Sequence, residues 1–185
     1  MGYSIDPISA NCYPGTTILI NKFDIQDEEK LNEIEGVLSS ARYAEWESAP
    51  RSTAFDFEHY KAIHRFLFSD LYDWAGEVRT VNISKKGTQF TPAENIEHQA
   101  ELIFKRLKEF NYFKGLPHSE FVEEIVDFYC ITNALHPFRE GNGRSTRIWL
   151  DLILKAELHK VVDWSLVDKE DYLLAMERSP IRDIE

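Results

Sequence analysis

Residues 136–147 read HPFREGNGRSTR. His136 leads, the Glu140 carboxylate follows four positions later, and Gly141, Asn142 and Gly143 precede Arg144 and Arg147. These residue types suit phosphate chemistry. Glycines let the backbone turn and let a ligand approach its N–H groups. A helix starting near Gly143 would aim free N–H groups and the positive end of its dipole at an anion. Arg144 and Arg147 would share a face of the first turn, and guanidinium forks match phosphate oxygens. Asn142 can donate its amide to a phosphoryl oxygen. A carboxylate repels phosphates unless a hard cation lies between them, so Glu140 points to a bridging Mg²⁺. His136 titrates near neutrality and can take a proton from an attacking hydroxyl. Phe138 packs inward to fix the loop and belongs, with Gly141 to Gly143 and the two arginines, to the nucleotide-binding set. The expected ligand is a Mg-nucleotide and the expected event is activation of a hydroxyl. No Gly-Lys-Ser/Thr completes a P-loop, and no second histidine sits at i+4 from His136 to make a zinc helix.

Apolar helices must hold this loop. EFVEEIVDFYCITNAL (120–135) precedes it and RSTRIWLDLILKAEL (144–158) follows. Upstream, Leu31, Ile34, Leu38 and Ala41 recur at helical spacing over 26–47. A second helix is expected over 55–76, capped near Asp56 and stopped by Gly76. VRTVNISKKGTQFTP (78–92) places two β-prone runs around a glycine and reads as a hairpin. Further helices are expected over 93–111 and 166–177, and residues 1–25 read as an irregular arm. The fold class is all-α with one hairpin. The chain is a single domain of 185 residues, with an N-terminal arm and helix over 1–50.

The formal net charge of −11 makes nucleic acid an unsuitable partner. Charge interrupts the longest apolar runs, so no membrane span is expected. MGYSID lacks the pattern of a signal peptide, and two scattered cysteines suit a reducing compartment. A cytoplasmic location of bacterial type is the expectation.

The motif resembles the Fic-domain signature: His, any, Phe, any, Asp/Glu, Gly-Asn-Gly-Arg, two residues, Arg. LYDWAGEVR (71–79) and NISKKGTQF (82–90) are similar to the family's upstream helix end and its flap, and the resemblance covers about residues 50–180. It implies a mostly helical Fic fold and transfer of AMP from ATP to a Ser, Thr or Tyr hydroxyl of a target protein, with release of pyrophosphate. By position, His136 is the general base and Glu140 holds Mg²⁺. Gly141, Asn142 and Gly143 line the α-phosphate site, and Arg144 and Arg147 take the β- and γ-phosphates. Lys85, Lys86, Gly87, Thr88, Gln89 and Phe90 form the flap that clamps the target as an added strand. The Doc branch departs from Gly-Asn-Gly and transfers phosphate; this chain keeps Gly-Asn-Gly.

The resemblance also implies a glutamate that restrains the site by pairing with the second arginine, here Arg147. Glu35 and Gly36 fit that pattern in the first helix, Leu31 does not, and a glycine there would permit close approach to a neighbour. Ser179 to Asp183 has the spacing with Asp for Glu, a small antitoxin could supply the group instead, and a homo-oligomer is a further partner the sequence allows. Rival readings are removal of AMP or transfer of another phosphate-containing group by the same site, and a non-catalytic nucleotide-binding or toxin-partner module.

Overall fold

The computed structural model describes residues 4–5, 11–48, 55–85 and 88–179. Six α-helices dominate: α1 (Glu28–Ser48), α2 (Phe57–Phe68), α3 (Ile96–Glu109), α4 (His118–Leu135), α5 (Asn142–Leu158) and α6 (Lys169–Arg178). Strands β1 (Ser4–Ile5), β2 (Ile83–Lys85) and β3 (Thr88–Gln89) form a small antiparallel sheet in the order β1-β2-β3. The all-α expectation and the hairpin hold. The sheet has a third strand because part of the arm read as irregular pairs with β2. None of the described helices is long and apolar enough to cross a membrane.

α2 is the central post. Asp56 caps it by accepting from the His59 amide at 2.8 Å. Tyr60, Ile63 and Leu67, at helical spacing, are almost fully buried. α1 and α5 pack on α2, α4 packs on α5, and α3 packs on α4. Trp149 of α5 meets Phe55, Tyr60 and Phe104 edge-on, a geometry that favours aromatic pairs.

α2 stops at Phe68, well before Gly76. From Ser69 the chain folds into successive turns, and Gly76 adopts φ +83° and donates its N–H to His64 Nδ1 at 2.8 Å. The apolar periodicity continues through these turns because Leu71, Tyr72 and Ala75 are buried as well. His59 is also buried, against Trp149, although its sequence setting reads as surface.

Candidate active site

The loop from His136 to Gly141 joins α4 to α5, and each of its ends is held by side chains from distant parts of the chain. His136 is the C-cap of α4, with φ 44° and ψ 60°, a left-handed backbone that costs a non-glycine residue about 1–2 kcal/mol. Arg79 secures it. Its Nε donates to the His136 carbonyl at 2.9 Å, and its Nη1 and Nη2 donate to the carbonyls of Val81 and Thr91 at 2.7 and 2.5 Å. One buried guanidinium therefore ties the base of the flap to the motif. Thr91 reinforces the tie by donating its N–H to the Ala134 carbonyl at 3.1 Å.

The His136 ring is buried and stacks on Phe90 of the flap at 3.8 Å. Its Nδ1 lies 3.1 Å from the Asn133 carbonyl. A carbonyl only accepts, so in the neutral ring the proton sits on Nδ1 and the lone pair on Nε2. Burial pushes the pKa of His136 down to about 3, and the positive charges of Arg79 and Lys85 add to the effect. The imidazole is therefore a neutral base across the physiological range.

His64 of α2 supports the other end of the loop. Its Nδ1 accepts from Gly76, so Nε2 carries the proton and donates it to the Glu140 carbonyl at 2.8 Å. Phe138 stacks on this ring at 3.9 Å and on Tyr60 at 5.4 Å. Phe138 is fully buried, which corrects its place among nucleotide-contacting residues: it anchors the loop from the core side. Asn142 is corrected too. Its Oδ1 accepts from the Phe138 N–H and its Nδ2 donates to the Phe138 carbonyl, both at 2.8 Å, so the buried amide braces the loop.

Burial also pushes the His64 pKa down to about 3. Both histidines therefore stay neutral in the fold, whereas in the unfolded chain each titrates near 6.5. Between about pH 6.5 and 3 the unfolded state binds protons that the folded state does not. Stability then falls as pH falls, by up to ~1.4 kcal/mol per pH unit for each histidine. Urea midpoints at pH 7.5 and pH 5.5 should show this loss. A midpoint that holds steady, or rises on acidification, would mean the rings are charged in the fold.

A cleft is lined by Lys85, Thr88 and Phe90 from the flap, His136, Glu140, Gly141, Gly143, Arg144 and Arg147 from the motif, and Tyr172, Leu173, Met176 and Glu177 from α6. The structure thus brings His136, Glu140, Gly141, Gly143, Arg144 and Arg147 to one surface with Lys85, Thr88 and Phe90, while Phe138 and Asn142 are buried outside the lining. Gln89 is exposed outside the lining. Lys86 and Gly87 lie outside the described residues, as does most of the Ser179–Asp183 stretch. No side chain among the described residues caps the start of α5, so its N–H groups remain for an anion. The contribution of α6 was not apparent in the sequence, where 166–177 reads only as a further helix.

Glu140 accepts from the Gly141 N–H at 3.0 Å, and burial raises its pKa, helped by the nearby Glu35 charge. Among the described residues no three His, Cys, Asp or Glu side chains cluster to form a protein cage for a metal. A single cleft carboxylate fits Mg²⁺, which is commonly held by one or two carboxylates together with substrate phosphates.

The expected pairing of Glu35 with Arg147 is not formed. Glu35 instead accepts from Arg144 Nη2, and its second oxygen accepts from the Tyr72 hydroxyl at 2.5 Å. Arg147 lies over the rings of Trp164 and Tyr172 at 5.6 and 5.8 Å. The reason is rotation about α5: residues three apart diverge by some 60°, enough to send one arginine toward α1 and the other toward α6. Gly36 is exposed, and a Cβ added there meets nothing within 4 Å, so it serves no close approach.

A family model described as the Fic/DOC family matches residues 54–154. The chain belongs to this family. Over 175 residues it is 35% identical to a probable protein adenylyltransferase, y4lH, of Sinorhizobium fredii, covering 94% of this chain and 88% of that one. It is 36% identical over 160 residues to the protein adenylyltransferase VbhT of Bartonella schoenbuchensis, covering 85% of this chain but 33% of the relative. Among solved structures, this Fic chain superposes with a TM-score of 0.82 on the BepC protein of Bartonella tribocorum with bound AMPPNP. That match has 28% identity and covers 94% and 93% of the two chains. The type IV secretion system effector BepA gives a TM-score of 0.85 at 27% identity, over 95% of this chain and 64% of that one.

Proposed function

We propose that the protein transfers AMP from ATP to a hydroxyl of a target protein and releases pyrophosphate. It is a protein adenylyltransferase. The observation that carries this reading is the convergence of a neutral His136, the start of α5 and two arginines on one cleft. The target oxygen attacks the α-phosphorus and its proton passes to His136 Nε2. The bond from the α-phosphorus to the bridging oxygen breaks, and that oxygen leaves with pyrophosphate. The Gly143 and Arg144 N–H groups at the start of α5 suit the α-phosphate. Arg144 and Arg147 suit the charge that gathers on the leaving group. Bound Mg²⁺, with Glu140 as its protein ligand, would neutralise phosphate charge. Thr88 lies on β3, an edge strand of the sheet, and with Lys85 and Phe90 beside it offers the flap to the target for strand addition. The relative with bound AMPPNP supports ATP as the donor. Cytoplasmic action suits this use of ATP and Cys12 and Cys130 kept as thiols rather than a disulfide.

The test uses purified chain with Mg²⁺ and ATP labelled at either the α- or the γ-phosphate, with the chain itself as first acceptor and a lysate as second. An AMP-sized mass addition that carries α-label and depends on His136 is expected. Label from the γ-phosphate alone would replace this reading with phosphate transfer. Arg147→Ala should weaken binding of a non-hydrolysable ATP analogue by about 10- to 150-fold, the worth of a charge-assisted contact. Unchanged affinity in calorimetry would remove Arg147 from the phosphate site.

A further inference from the structure

We propose that Glu35 is a positioning residue for Arg144 and does not restrain the site. The inference rests on the reading of Arg144 as a ligand of the outer phosphates. Glu35 is 6% exposed and holds Arg144 Nη2 with one oxygen while Tyr72 fixes the other. One turn further along α1, Ser39 Oγ accepts from Arg144 Nη1 at 3.0 Å. The Phe68 ring lies beneath the guanidinium at 4.6 Å. The Arg144 side chain is therefore held by α1 and α2 together. α1 is itself fastened past the end of α2, where Arg42 Nε and Nη2 each donate to Asp70 at 2.7 Å.

Location decides between a support and a brake. A brake must stand where the phosphates go. The cleft wall includes Arg144 but not Glu35 or Tyr72, and Ser39 borders a second cavity beside Arg144 and Arg147. A free arginine side chain loses rotamer entropy when it is fixed, and a guanidinium already held in place binds phosphate without that cost. The buried carboxylate also settles which partner Arg144 takes. Glu140 Oε1 is 3.6 Å from Arg144 Nη2, the next carboxylate within reach. Without Glu35 the guanidinium closes on Glu140 and withdraws both groups from the nucleotide.

The experiment measures affinity for a non-hydrolysable ATP analogue and for AMP by calorimetry in wild type, Glu35→Gln, Glu35→Ala, Arg144→Ala and the double alanine variant. AMP incorporation and melting temperature are read on the same proteins. Glu35→Ala should weaken the analogue by about 10-fold while AMP affinity stays within about twofold. The double variant should bind no worse than Arg144→Ala, because Glu35 acts through that arginine. Glu35→Gln keeps an acceptor and should fall between wild type and alanine; it carries the comparison if the alanine variant does not fold. A rise in AMP incorporation in Glu35→Ala or Glu35→Gln would make Glu35 a brake and overturn the proposal. Equal losses for ATP analogue and AMP, or additive losses in the double variant, would make Glu35 a general fold support and overturn it as well. Should Arg144→Ala bind the analogue like wild type, the outer-phosphate assignment itself fails. If Arg144→Ala is weakened and the Glu35 variants are not, only the positioning role fails.

Discussion

Replacing His136 with alanine is expected to lower AMP transfer by on the order of 100- to 10,000-fold, the usual contribution of a positioned general base. Affinity for a non-hydrolysable ATP analogue should stay near that of wild type. The separation arises because the phosphate contacts are assigned to α5 while the base sits at the end of α4. The left-handed backbone at His136 complicates alanine, which tolerates φ 44° poorly. Asparagine visits that region more readily and has no basic nitrogen. His136→Asn should therefore lose transfer as completely as alanine with a smaller fall in melting temperature. Either variant labelling a target at the wild-type rate would remove His136 as the base. The low pKa adds a second expectation. Because the ring is neutral down to about pH 3, transfer should not fade between pH 8 and 6 through protonation of this residue.

Gly141→Ala should be the most damaging added methyl among the described glycines. Gly141 has φ +77°, and a Cβ there runs into the Phe68 ring and comes within 3.1 Å of His64 Nε2. The backbone strain costs about 1–2 kcal/mol, and overpacking a filled core adds about 1–3 kcal/mol. The Phe68 ring cannot simply withdraw, since it is 2% exposed and lies under Arg144. Relief must come from the loop, which would shift the Glu140 carbonyl off His64 and carry the start of α5 with it. A melting temperature lowered by several degrees, together with a joint loss of transfer and ATP affinity, is expected. Gly143→Ala provides the contrast, because its added Cβ meets only Arg147 Nη1 at 3.8 Å. A Gly141 variant as stable and active as that contrast would contradict the packing argument.

The motif was legible in the sequence because its chemistry is local. His136, Glu140, the glycines and both arginines lie within twelve consecutive positions, and a helix start plus a turn brings them together. What supports them was not legible, because it comes from far away in the chain. Arg79 reaches the His136 carbonyl across 57 positions, and His64 reaches the Glu140 carbonyl across 76. Neither partner is a side chain, so no complementary residue type marks either contact. Glu35 shows the same limit differently. Its acidic neighbours are exposed, and the apolar stripe of Leu31, Ile34 and Leu38 is the apparent buried face. The line that faces inward is Leu31, Glu35 and Ser39, at i, i+4 and i+8. A carboxylate belongs on that line only because Arg144 waits 109 positions away. The end of α2 was misread because buried turns and a buried helix leave the same apolar trace.

The single guanidinium at Arg79 has a consequence for how such a protein can diversify. It grips the hairpin by the carbonyls of Val81 and Thr91, at its roots. Nothing in that grip depends on which side chains occupy the far end of the ribbon. Lineages could lengthen, shorten or rewrite the outer hairpin to suit a new acceptor while the catalytic end inherits its alignment unchanged. Acceptor choice and chemistry are then separable characters, joined through one inherited socket.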